Sequence, residues 1–215
     1  MGNTNDNYPT PPKLAEAIMQ KVTRLLPRDV GLGLNVLEPG CGDNAPFLSA
    51  AAPYATLFDG LDGVDIRPVK THDDDIYQLY GGQDFLQDLR PVMPGNLNMQ
   101  WNLIITNPPY SLAQEFVERS LELVSPNGLV VMLLQTGFEG SKKRREFFTQ
   151  YPWLIKFNIR PRPGFVRGAS GASSDMREYA VYVWTDPETT GLLRRLGRCQ
   201  SIVENIDGEG SWKSY

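Results

Sequence analysis

The stretch Leu34-Asn35-Val36-Leu37-Glu38-Pro39-Gly40-Cys41-Gly42-Asp43-Asn44-Ala45 decides the fold. Its first five residues form a short apolar strand. The glycines behind it allow a turn at which backbone can approach a ligand with no side chain in the way. A strand running into such a turn is how nucleotide-like cofactors are seated at the carboxyl edge of an open α/β sheet. The fragment also satisfies the dinucleotide pattern G-x-G-x-x-A, so alone it marks a cofactor edge and leaves the cofactor open.

Outward from this stretch, strands and helices alternate. Leu14, Ala17, Ile18, Val22 and Leu25 fall at helical spacing after Thr10-Pro11-Pro12, which predicts a helix beginning near residue 11 and stopping before Pro27. A second strand is expected over Phe58 to Ile66, a third ending near Asp84-Phe85, and a fourth over Trp101 to Thr106. Ala113 to Val124 is amphipathic, with Phe116, Val117, Leu121 and Val124 on one side and Glu115, Glu118 and Glu122 on the other. Ser125-Pro126-Asn127-Gly128 turns the chain into Leu129 to Leu134, an unbroken apolar strand of the kind covered on both faces. After Gly137 the sequence predicts a basic helix over Ser141 to Tyr151 and a strand over Leu154 to Ile159. A Gly-, Pro-, Arg- and Ser-rich loop follows from Arg160 to Ser174, then a strand over Tyr179 to Trp184. The part from Asp186 is expected to hold a short helix, Leu192 to Leu196, and an end that frays. The order implies an α/β fold, a mostly parallel seven-stranded sheet with helices on both faces.

The bulk numbers agree with one such domain. The chain has 215 residues, 41% hydrophobic and 21% charged, and no apolar run nears the roughly 20 residues of a membrane span. The first residues are polar and lack a secretory signal, Asp6 breaks the myristoylation pattern after Gly2, and Cys41 and Cys199 have no metal-site spacing. Cytoplasm is the expected location, in a bacterium or a phage-infected cell, with neither metal nor membrane as partner. Charge is divided unevenly: residues 1 to 135 carry 8 Lys and Arg against 16 Asp and Glu, whereas residues 136 to 215 carry 13 against 9. A basic part on an acidic body suits a polyanion held by one face, or a surface that merely varies.

Chemistry concentrates in a few places. Asp65 follows Gly42 by 23 residues, where a carboxylate can accept hydrogen bonds from both ribose hydroxyls of an adenosine-containing cofactor, or cap the turn. Asp84 could accept from an adenine amino group and Phe85 stack on its ring, or Phe85 could be core. Asn107-Pro108-Pro109-Tyr110 after the fourth strand is the most informative. An exocyclic ring amine is a poor nucleophile because its lone pair is delocalised into the ring. If the Asn107 side-chain oxygen and the Pro108 carbonyl accept its two hydrogens, the nitrogen turns tetrahedral and its lone pair points at an electrophile. Consecutive prolines hold the backbone in place beforehand, and Tyr110 offers a flat face for a ring. His72 with Asp73, Asp74 and Asp75 fits an exposed loop better than a metal site.

These motifs together, from Tyr8 to about Trp184, resemble the small N6-adenine DNA methyltransferases, including compact phage-type ones, in gamma-like order. The resemblance implies a class I AdoMet-dependent methyltransferase with a Rossmann-like sheet and S-adenosyl-L-methionine as cofactor. It implies that Thr10, Pro11, Glu38, Gly40, Gly42, Asp65, Asp84 and Phe85 bind the cofactor, and that Asn107, Pro108, Pro109 and Tyr110 are catalytic. Phe165 is similar to the family aromatic that packs on the other face of a flipped base, although a loop anchor has the same composition. Arg144, Arg145, Arg162 and Arg167, with Lys142, Lys143 and Arg160, would touch phosphates, or Lys142 to Arg145 would be a solvated helix face. The methyltransferase domain is expected over 1–185, with substrate recognition in about 137–175, and a C-terminal helix and tail over 186–215. The chain departs from larger members in lacking room for a separate recognition domain. Rival expectations are an RNA adenine methyltransferase, a protein glutamine methyltransferase, an inactive AdoMet-binding regulator and, last, an NAD oxidoreductase.

Overall fold

β1 (Leu34–Pro39) is the strand from which the sheet grows in both directions. The computed structural model describes residues 8–26, 33–70, 76–90, 93, 100–163, 165, 177–195, 201–208 and 212. β2 (Phe58–Asp65) and β3 (Gln78–Gly81) add to one side of β1, all parallel. β4 (Trp101–Thr106) and β5 (Val124–Gln135) add in parallel to the other side. β7 (Tyr179–Thr185) then runs antiparallel between β5 and β6 (Ile155–Arg160), and β8 (Ile202–Asp207) closes the far edge parallel to β6. The order is β3-β2-β1-β4-β5-β7-β6-β8.

Alternation along the strands explains why their sequences look uniformly apolar. Leu34 and Val36 of β1, Leu103 and Ile105 of β4, and Val131 and Leu133 of β5 face the layer made by α1 (Pro12–Val22) and α2 (Pro46–Ala51). Leu37, Ile104, Val130, Met132 and Leu134 face the opposite layer, where α3 (Ala113–Leu123) packs with Phe116, Val117 and Leu121. In β7, Tyr179, Val181 and Val183 join the first layer, and Tyr182 and Trp184 the second. A strand wetted on neither face needs no polar alternation.

Local chemistry sets the boundaries. Pro11 precedes α1, and its carbonyl takes the first free amides, from Leu14 at 3.0 Å and Ala15 at 3.1 Å. α3 passes directly into β5: Val124 already pairs with Trp101, and the predicted turn Ser125 to Gly128 is a bulge before Leu129 pairs with Leu103. Asn127 holds φ +60° there, its amide donating to Asp186 Oδ2 at 2.8 Å. The other oxygen of Asp186 accepts from Thr189 at 2.9 Å at the start of α5 (Pro187–Arg195).

Four expectations are corrected. The sheet has eight strands rather than seven, because the segment predicted to fray supplies β8, whose only buried side chain is Ile206; a strand with one buried position gives no periodic signal. The C-terminal helix starts at Pro187, ahead of the predicted Leu192. The third strand ends at Gly81, which leaves Asp84 and Phe85 in the turn beyond it. The basic helix is a single tight turn over Lys142–Arg144 followed by α4 (Arg145–Gln150). No helix among the described residues is long and apolar enough to cross a membrane.

Trp184 is 1% exposed, and its indole N–H donates to the Tyr151 carbonyl at 3.0 Å, so it ties β7 to the end of α4. Trp184→Ala is expected to lower unfolding free energy by about 3–5 kcal/mol in urea titrations, from lost burial plus the cavity left behind.

Candidate active site at the carboxyl edge of the sheet

β1 and β4 are neighbours, but the chain leaves β1 toward α2 on one face and β4 toward α3 on the other. Their carboxyl ends therefore open a crevice at the reversal of strand order, where ligands of such sheets bind. Thr106, buried at the end of β4, donates its hydroxyl to the Pro39 carbonyl and joins the two lips.

The glycine turn forms the β1 lip. Gly40 and Gly42 hold φ of +66° and +61°, which other residues adopt only with strain. A Cβ on Gly40 would meet only Phe116, at 3.9 Å, so backbone here lies open to a ligand. Glu38 faces inward: its Oε2 accepts from the amides of Phe47 at 3.1 Å and Leu48 at 3.0 Å, the unpaired start of α2. Glu38 was expected among the cofactor ligands; here it fixes the helix that closes the turn. Burial pushes its carboxyl up to about 8 against the pull of those two amides, and nearby Asp65 adds to the rise. Cys41 is buried, and loss of water holds its thiol neutral by raising its pKa.

Asp65, 3% exposed, ends β2 beside this turn. Its Oδ2 accepts from the Gly42 amide at 2.9 Å and from Arg67 Nη2 at 2.9 Å, while Oδ1 accepts from Arg67 N at 2.8 Å and Nε at 2.9 Å. These donors outweigh the cost of burial and hold the carboxyl below its usual range. Four donors fill a carboxylate's acceptor sites, so ribose hydroxyls reach Asp65 only by exchanging with the half-exposed Arg67 guanidinium. Arg67, two residues beyond the acid, was not anticipated from the sequence.

On the β4 lip, the Asn107 Nδ2 group donates to the Tyr8 carbonyl at 2.9 Å and to Thr10 Oγ1 at 3.1 Å. The other end of the amide, Oδ1, is buried and accepts no hydrogen bond; the Tyr110 hydroxyl lies near the amide without a bond of ordinary geometry. Burial holds the Tyr110 phenol well above its usual pKa, so it stays neutral. Tyr110 and Phe165, the two rings expected to sandwich a base, do not touch each other. Tyr8 and Tyr179 bridge them: Tyr8 stacks on Tyr110 at 5.5 Å and meets Phe165 edge-on at 6.1 Å, and Tyr179 lies 5.8 Å from Tyr110 and 4.7 Å from Phe165. The sequence alone marks neither Tyr8 nor Tyr179 as a site residue. Tyr179 read only as the first residue of an apolar strand.

The remaining expected residues divide. Pro108 and Pro109 hold the turn between β4 and the single helical turn Tyr110–Leu112. Phe85 is 3% exposed and packs on Phe116 at 5.1 Å, its core alternative, and Asp84 Oδ1 accepts the Leu86 amide at 3.0 Å. Arg144 lies 4.4 Å over the Phe138 ring and donates to its carbonyl at 3.1 Å, a tether for the turn after β5. Lys142, Lys143 and Arg145 are exposed, and Arg162 faces Glu178 at 4.0 Å. Arg167 and His72 to Asp75 lie outside the described residues.

No family profile and no curated protein matches the sequence. Solved structures do. A Listeria monocytogenes protein named as a class I S-adenosylmethionine-dependent methyltransferase superposes with a TM-score of 0.63 over 99% of this chain and 68% of its own, at 13% identity. The M protein of the type I restriction enzyme EcoKI gives 0.53 over 86% of this chain and 45% of its own at 14% identity. A protein from Vibrio vulnificus, named as a type I restriction enzyme modification subunit, gives 0.57 over 97% and 49% at 13% identity. The chain thus has the class I methyltransferase fold. It spans about half the length of the two type I subunits.

Glu38 makes stability pH-dependent. Its folded pKa of about 8 lies above the ordinary 4.5, so folding favours the protonated acid, and that stability is full below about 4.5 and lost as pH rises through 8. Glu38→Gln, which cannot ionise, is expected to remove this loss; thermal melts of both proteins between these limits check it.

Proposed function

We propose that this chain is an S-adenosylmethionine-dependent methyltransferase acting on the N6 amino group of adenine in DNA. The observation that carries this reading is the buried, unpaired Asn107 Oδ1 on an amide whose two hydrogens are already taken. A buried acceptor left without a donor costs about 1–3 kcal/mol and persists where a ligand supplies the donor. The donor that suits it is an N–H of an amine approaching the crevice. The aromatic rings around Asn107 favour a planar ring over the flexible side chain of a glutamine.

The residues fit the cofactor. The open Gly40 backbone and the Asp65 carboxylate, once Arg67 moves aside, would hold its adenosine part. When bound, S-adenosylmethionine supplies a methyl group that an amine can displace from sulfur in line. Asn107 Oδ1 and the Pro108 carbonyl draw on the two amine hydrogens and turn the nitrogen lone pair out of conjugation. Tyr110 would face the ring where Tyr8 now stacks on it, and Phe165, 1% exposed behind Tyr8 and Tyr179, would reach the ring only with those two tyrosines displaced. A base reaching this depth must leave its stack. The basic 136–215 part, with Lys142, Lys143 and Arg145 exposed, supports a nucleic-acid partner and recognition within about 137–175.

The direct test is to incubate the protein with labelled S-adenosylmethionine and, separately, duplex DNA, single-stranded DNA, RNA and a protein extract, then identify the methylated product. N6-methyladenine in DNA supports the reading; label confined to RNA or to glutamine replaces it, and none in any arm leaves a cofactor-binding regulator. Asn107→Ala is expected to abolish transfer while cofactor affinity stays within about tenfold, since the side chain acts on the nucleophile. Asp65→Ala should weaken cofactor binding by about 1.5–3 kcal/mol in calorimetry, as when hydrogen bonds to a charged group are lost.

A further inference from the structure

An asparagine amide has two ends of nearly equal shape, and rotation by half a turn exchanges them. Only Oδ1 can accept a hydrogen from an amine; Nδ2 in its place would donate toward the nitrogen that must attack. Something must therefore fix the orientation of Asn107. Tyr8 O and Thr10 Oγ1 stand at 2.9 and 3.1 Å from Nδ2 and use both of its hydrogens. A backbone carbonyl can only accept, so the reversed amide would set oxygen against oxygen at Tyr8. Tyr8 and Thr10 are 8% and 7% exposed, which leaves little water to relieve such a mismatch. The segment is itself anchored at both ends, by the Tyr8 ring on Tyr110 and Phe165 and by Pro11 at the head of α1.

We infer that the segment Tyr8–Thr10 belongs to the acceptor side of the site: the Tyr8 carbonyl fixes which end of the Asn107 amide meets the reacting amine, and Thr10, which takes the second hydrogen, is a positioning residue that holds the amide in that orientation. This rests on the methyltransferase reading above and reassigns Thr10, expected from the sequence to bind cofactor. With both hydrogens of Asn107 directed to this segment, the oxygen is the end left for a substrate.

The test uses the full chain with isotope-labelled asparagine, the Asn107 side-chain amide being assigned by its absence in Asn107→Ala. In the wild type its protons should exchange slowly with water. Thr10→Val keeps the shape and removes the acceptor, and should speed that exchange about tenfold, while Thr10→Ser restores the slow rate. In methyl transfer to an adenine-containing duplex at saturating S-adenosylmethionine, Thr10→Val should lower kcat about tenfold with cofactor Kd unchanged within about twofold, again rescued by Thr10→Ser. Equal exchange in the wild type and Thr10→Val, or a weakened cofactor Kd with kcat unchanged, overturns the inference. If the wild type methylates no acceptor, the function reading fails by itself and amide exchange alone decides the role of Thr10.

Discussion

The structure depends on one constraint: β1 and β4 lie side by side while the chain leaves them for opposite faces of the sheet. Two parallel strands cannot diverge in this way without parting at their carboxyl ends, and everything of chemical interest lines that opening. The Thr106 hydroxyl on the Pro39 carbonyl keeps the lips in register, and Glu38 draws the first amides of α2 onto the glycine turn. All three bonds are buried. The crevice is thus held by interactions that water cannot replace, where a surface contact would be worth much less.

Three carboxyl and amide groups near the opening are set to different tasks by their surroundings. Glu38 is dry, and the loss of water outweighs its two amide donors, so it retains a proton far above the usual carboxyl range. Asp65 is also buried, yet Arg67 and Gly42 keep it ionised. Asn107 carries no charge and is set apart by direction alone, its donor end committed and its acceptor end free. Residue type gives the capacity, and neighbours decide which part of it is exercised.

The architecture was legible because it rests on local patterns. The apolar strands, the glycine turn and the alternation with helices follow from residues adjacent in sequence, and the Asn-Pro-Pro-Tyr stretch sits where such a turn should. What escaped is non-local or weakly patterned. β8 has a single buried side chain and is held in place by backbone pairing with β6. Tyr8 and Tyr179 meet Tyr110 from 102 and 69 residues away in sequence, and no spacing rule links them. Asp84 carried one reading and Phe85 two, and in the structure Asp84 caps a turn and Phe85 fills the core.

β7 follows β6 in the chain yet lies between it and β5. As the polypeptide emerges from the ribosome, β2, β3, β4 and β5 each find a partner already made. β6 does not, because the strands it pairs with, β7 and β8, are both synthesised after it. The edge of β5 stays open until Thr185 has appeared, and the three strands beyond it, β7, β6 and β8, join the sheet only after that, by the long-range kind of pairing that is slow. Tyr179 arrives with β7. The glycine-turn lip is therefore synthesised early, and Tyr179 completes the aromatic wall around Asn107 late.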